Sequence, residues 1–172
     1  QSVSLADYGM DDLGYELSKA GAECAKRAVA QVVAAQPTRR CFVAGAIGPT
    51  TKTSSVSTDS NDAAARGTTY PELVQAYGEQ VRGLLDGGVD LLLVETIFDT
   101  LNAKAAFFAI QQLFAEGARQ VPIMASVTFI QAGSNRGFSG QTVEGFWNSI
   151  SHVPLLSVGM NCALGPKEMR PL

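Results

Sequence analysis

Two short apolar runs in this sequence end on residues that an apolar core does not require. VDLLLVET (89–96) closes on Glu95, and PLLSVGMN (154–161) gives way to Cys162 inside the stretch GMNCALGP. A carboxylate at the end of an apolar run costs desolvation unless an ammonium group, a metal or hydrogen-bond donors compensate it, so Glu95 invites the amino group of a small ligand. The alternative is a carboxylate paired with a neighbouring Arg or Lys, or one that accepts loop amides, since ion-pair networks perturb carboxylates too. Cys162 is a candidate metal ligand or nucleophile. Its alternative is the commonest role of a free cysteine, a small buried hydrophobe.

Other reactive residue types give these two little company. Cys24 falls in a helical pattern, and Cys41 begins an apolar run, about five residues or on the order of 16 Å from that run's far end at ~3.3 Å per residue. Thiolates sharing a zinc each lie about 2.3 Å from it, so Cys24 and Cys41 are poor co-ligands for Cys162. His152, the single histidine, precedes its apolar run. It therefore falls at the wrong end for a Ser-His-Asp triad. GAIGPT (45–50) lacks the Gly-Lys-Ser/Thr of a phosphate loop and reads as a tight turn whose amides, around Gly48, can face a carboxylate.

The elements that must position these residues alternate. Leu13, Leu17, Ala20, Cys24, Ala28 and Val32 recur at three- and four-residue steps, which predicts a helix over 11–35 stopped by Pro37. CFVAGA (41–46) predicts a buried strand, 70–86 a helix stopped by Gly87-Gly88, and 89–96 a strand buried on both faces. Asp99 or Thr100 caps a helix to about Glu116. PIMASVTF (122–129) predicts a strand ending at Ser126 to Thr128, 139–150 a helix with Ser139 as its cap, and 154–161 a fourth strand. The polar connection 51–69 is long enough to be a functional loop or lid.

Continuous apolar strands alternating with helices imply an α/β fold with a parallel sheet. No Gly-x-Gly-x-x-Gly turn follows any strand, which favours a barrel over a doubly wound sheet. A complete (β/α)8 barrel takes about 250 residues, and four strands in 172 residues make a partial one. In such folds ligands bind at the C-terminal ends of strands. Gly45 to Thr50, Glu95, Ser126 and Asn161-Cys162 therefore share the candidate rim.

Thirteen basic against sixteen acidic residues, a net charge of -3, give no excess to neutralise a phosphate backbone, so no nucleic-acid partner is expected. No apolar run approaches the roughly 18 residues of a membrane span, so no membrane partner is expected either. An odd number of widely spaced cysteines fits a reducing, cytoplasmic setting.

Taken together and in order, FVAGAIGPT, LLDGGVDLLLVETIFDTLNAKAAFFAI, FSGQTVEGF and GMNCALGP resemble the homocysteine-binding domain of the cobalamin-dependent methionine synthases. The resemblance covers nearly the whole chain. It implies a partial (β/α)8 TIM barrel over 1–172, truncated at both ends, with the third to sixth strands and their helices present. It implies a zinc held by three cysteines, of which Cys162 is one and two lie outside this chain. Homocysteine would be the substrate, with Glu95 on its amino group and Asn161, Gly48 and Ser126 completing the binding residues; no catalytic residue is assigned. Methionine would form by methyl transfer from methylcobalamin, with cobalamin and methyltetrahydrofolate carried by other domains of the full-length protein, and the 172 residues alone would be inactive. Relatives using betaine or S-methylmethionine share the barrel and the zinc cysteines, so the donor rests on the GPT-TK and FDTLNAKAA stretches. Two other readings remain open: a non-catalytic barrel fragment that binds a small amino acid, and an unrelated α/β enzyme with Cys162 as nucleophile.

Overall fold

The computed structural model describes residues 1–131 and 133–172. Short helix α1 (Ser2–Leu5) and two single 3-10 turns lead into α2 (Gly14–Ala35), followed by β1 (Ala44–Ile47) and a small antiparallel hairpin of β2 (Ser57–Asp59) and β3 (Asp62–Arg66). Then come α3 (Tyr70–Asp86), β4 (Leu91–Ile97), α4 (Thr100–Ala115), β5 (Ile123–Val127), α5 (Val143–Ile150), β6 (Ser157–Met160) and α6 (Pro166–Met169). β1, β4, β5 and β6 form one parallel sheet in that order. This is the four-stranded arc of a partial (β/α)8 barrel.

Local chemistry sets the element boundaries. Thr69 and Glu72 make a reciprocal cap on α3, with the Thr69 N–H donating to Glu72 Oε2 at 2.8 Å and the Glu72 N–H to Thr69 Oγ1 at 3.4 Å. The Thr69 amide is the main reason the Glu72 carboxyl sits below its ordinary range. Asp99 caps α4 through the amides of Leu101 and Asn102, at 2.9 and 3.4 Å. The last capped helix departs from expectation: its cap is Thr142, which accepts from the Gly145 N–H, and Ser139 precedes the helix in a turn.

The core lies between the sheet and its helices. Leu73, Tyr77 and Val81 of α3 and Phe107 and Ile110 of α4 pack on Ile47, Leu92, Val94, Ile123 and Ala125. Along β4 the even positions Leu92 and Val94 are buried and the odd positions Leu91, Leu93 and Glu95 only half-buried. The expectation of a strand covered on both faces is thus corrected: among the described residues the helices cover one face. Glu95 belongs to the other face, the one that turns toward a barrel's interior.

Three further expectations change. α2 packs on α3 through Tyr15, Ser18, Lys19 and Ala22, so Leu17 and Val32, read as its apolar stripe, are exposed. Gly83 and Gly87 make that crossing possible, since a Cβ on Gly83 would lie 2.4 Å from the Tyr15 carbonyl oxygen and one on Gly87 2.5 Å from Ala22 Cβ. Cys41 precedes β1 rather than beginning it. The polar connection 51–69 holds the β2–β3 hairpin, whose residues are mostly exposed and gave no apolar alternation.

Candidate functional site

The C-terminal ends of β4, β5 and β6 meet at one side chain. Asn161, just past β6, accepts at Oδ1 from the Thr96 N–H (3.2 Å) and from Ser126 Oγ (2.7 Å), and its Nδ2 donates to Thr96 Oγ1 at 2.9 Å. Its own N–H donates to the Val127 carbonyl at 3.0 Å, extending the β5–β6 ladder by one rung. Asn161 and Ser126 are therefore brought together, as the sequence reading placed them, and their polar atoms are engaged with each other.

Backbone geometry at this rim is unusual. Thr96 (φ 56°), Cys162 (φ 64°) and Ala163 (φ 54°) are the described non-glycine residues with positive φ. The left-handed region is uncommon for non-glycine residues and an outlier for a β-branched one, and such strain clusters at functional sites. Thr96 directly follows Glu95, and Cys162 directly follows Asn161. The β4–β5 register also slips here, from Val94 opposite Ala125 to Ile97 opposite Val127. Glu95 and Thr96 thus face Ser126 alone, the two-against-one count of a β-bulge.

A second cluster fixes the strand-end loop of β1. Asn102, 3% exposed, donates from Nδ2 to Thr50 Oγ1 at 2.6 Å and to the Lys52 carbonyl at 3.2 Å, while its Oδ1 accepts from the Ser54 N–H at 3.4 Å. Asp99, also buried, accepts from the Ser55 hydroxyl. On the other side Gln1 and Ser4 bond the Pro49 carbonyl and the Thr51 N–H. Tyr77 donates to the Gly48 carbonyl at 3.3 Å, and burial pushes its phenol well above the ordinary range. Gly48 and Glu95 line one narrow cleft between the ends of β1 and β4, together with Tyr77, Asp99 and Asn102. A roomier cavity, about 700 Å³, lies between α3 and α4 and touches none of these residues.

The match to the family described as homocysteine S-methyltransferase runs over residues 1–172, the whole chain. The chain belongs to the homocysteine S-methyltransferase family. Among solved structures, the homocysteine methyltransferase MmuM from Escherichia coli in its metallated form matches with a TM-score of 0.71 at 21% identity, covering 98% of this chain and 56% of that one. The apo form of the same protein matches with a TM-score of 0.68 at 19% identity over 92% and 52%. At that identity the likeness shows the fold, and the chain spans just over half the length of these structures.

Zinc is the metal the family resemblance implies, and its fit can be judged from the donors. Among the described residues no three His, Cys, Asp or Glu side chains gather where they could hold a metal. Cys162 is exposed beyond β6, Cys24 is exposed on α2, Cys41 is half-buried ahead of β1, and His152 is exposed in the turn before β6. A homocysteine S-methyltransferase chain with one thiol at its rim does not by itself meet a zinc site, which takes three or four protein ligands.

Sequence reasoning missed Asn102 and assigned no role to Thr96. Asn102 carried a faint signal, an amide three residues past the Asp99 cap on the face that packs inward. Thr96 carried none, because its partner Asn161 is 65 positions away.

Proposed function

We propose that these residues form one section of the substrate-binding barrel of a zinc-dependent homocysteine S-methyltransferase, an enzyme of the methionine-synthase type. The observation that carries the reading is the Thr96–Asn161 bridge, because it ties the residue after the carboxylate Glu95 to the residue before the thiol Cys162. Glu95 binds the amino end of homocysteine, and Gly48, Ser126 and Asn161 border the same rim. Cys162 supplies one thiolate to the zinc, with the other donors coming from outside these 172 residues. Bound zinc would keep the substrate sulfur as thiolate, the nucleophilic form that a thiol of pKa about 8.5 seldom adopts at neutral pH.

What this chain's own residues do is bind and orient. Glu95 stands on the half-buried face, where a carboxylate is less screened than in bulk water and discriminates for an ammonium. The bulge turns it relative to the strand below, and Asn161 holds that turn. The methyl donor proposed is methylcobalamin, carried with a methyltetrahydrofolate site on other domains in a cytoplasmic protein. The donor rests on the cobalamin-type likeness of the stretches 48–52 and 98–106, which the Asn102 bonds to Thr50 and Lys52 hold together.

Calorimetry with L-homocysteine on the intact natural protein tests the reading. Glu95→Gln should weaken binding at least tenfold, and Cys162→Ala should abolish stoichiometric zinc. Unchanged homocysteine affinity in the first variant, or full zinc occupancy in the second, would overturn it.

A further inference from the structure

We propose that Thr96, Asn161 and Ser126 act as a spacer that fixes the separation between the Glu95 carboxylate and the Cys162 thiol, and so selects the length of amino acid the site accepts. This rests on the reading that Glu95 takes the amino end of one substrate and that the zinc which Cys162 helps to hold would take its sulfur end.

The sheet does not need this cross-link for its pairing. The β4–β5 ladder resumes at Ile97 and Val127, and the β5–β6 ladder runs through Val127 and Met160 without any side chain. A glycine at position 96 would fill the same bulge without strain, yet the sequence places a β-branched residue there at φ 56°. Strained residues persist where their surroundings over-determine them. Here the surroundings are a single side chain: Asn161 holds both the N–H and the Oγ1 of Thr96. Both oxygen lone pairs of that amide are used, since Ser126 takes the second.

The result is a rigid path of few bonds. It runs from Glu95 to Thr96, across the amide to Asn161, and on to Cys162, where the backbone again turns left-handed. Ser126, the residue facing the bulge, braces the amide from β5. Two anchors held at a fixed spacing measure whatever spans them. Homocysteine and cysteine carry the same end groups and differ by one methylene, a difference that rigid sites convert into roughly 10–200-fold discrimination. Loosening the spacer should therefore cost the longer substrate its advantage, whereas loss of general sheet support would weaken both alike.

The test uses the intact natural protein with the metal it carries and compares calorimetric Kd values for L-homocysteine and L-cysteine. In Asn161→Ala and Thr96→Ala the preference for homocysteine should fall about tenfold, and in Thr96→Ser, which keeps the hydroxyl that pairs with Asn161, it should be retained. The Thr96 pair decides the matter if Asn161→Ala fails to fold. An unchanged preference in Thr96→Ala, or an equal loss in Thr96→Ser, would overturn the spacer. If the unsubstituted protein binds neither amino acid, the functional reading itself falls, and the spacer with it.

Discussion

Replacing Thr96 by glycine and, separately, by alanine measures the strain at the rim directly. Both changes delete the Oγ1 that accepts from Asn161 Nδ2 at 2.9 Å, a loss of about 0.5–1.5 kcal/mol. Alanine leaves the backbone in the left-handed region, where an L side chain costs roughly 1–2 kcal/mol. Glycine relieves that penalty but gives up about 0.5–1 kcal/mol in backbone entropy relative to alanine. With φ at 56°, the difference favours the glycine variant over the alanine variant by about 0.5–1 kcal/mol, the reverse of the order at ordinary strand positions. Urea denaturation of the intact protein should place the Thr96→Gly midpoint about 0.2–1 M above that of Thr96→Ala for slopes of 1–3 kcal/mol/M. An alanine variant as stable as the glycine variant, or more so, would refute the claim that strain is stored there.

Gly83→Ala should destabilise by about 1–3 kcal/mol in thermal melts, because the clash of its Cβ with the Tyr15 carbonyl at 2.4 Å outweighs the ~1 kcal/mol gained in helix propensity. Asn102→Ala should cost about 1–3 kcal/mol by leaving buried partners unpaired, and limited proteolysis read by mass spectrometry should then show faster cleavage within 51–69, since Thr50, Lys52 and Ser54 lose their clamp. Asp90 is held below the ordinary carboxylate range first by the Val43 N–H at 2.7 Å and further by Lys26 at 3.0 Å. A depressed carboxyl contributes stability that is present above its ordinary value and is lost as pH falls through the lowered one, so melting temperatures should drop below about pH 4 with a component missing in Asp90→Asn.

Elements written in continuous local patterns were legible in the sequence. The run 89–96 has four consecutive apolar residues at 91–94, the helix at 70–86 carries its stop in Gly87-Gly88, and Asp99 advertised its cap. Where two local signals compete, the outcome depends on packing: Ser139 and Thr142 are both good caps, and only Thr142 has an amide three residues on in helical position. The face of α2 was misjudged for a related reason. Leu17 and Val32 suggested one stripe, but close approach to α3 at Gly83 and Gly87 selects the face that presents the Tyr15 and Lys19 backbone with Ser18 and Ala22. At the rim, strand direction alone was enough to expect Glu95, Ser126 and Asn161 at the C-terminal ends of their strands, which is where they lie. The bulge and the bond from Asn161 to Thr96 were not legible, since a register slip is a property of two strands and no single stretch of chain encodes it.

The strict order of the sheet has a consequence for how the molecule is made. Each strand pairs with the sheet strand that precedes it in the chain, with no insertion of a later strand between earlier ones. During synthesis at ~5–20 residues per second, each newly emerged strand and helix therefore meets a finished edge that is already waiting. Assembly can advance in step with translation. The bridge from Asn161 to Thr96 is the exception, joining the last strand back to the second, so the rim acquires its final shape only after every strand of the arc is in place. A ribosome-bound chain stalled before residue 161 would hold the scaffold of the site with Glu95 still unset.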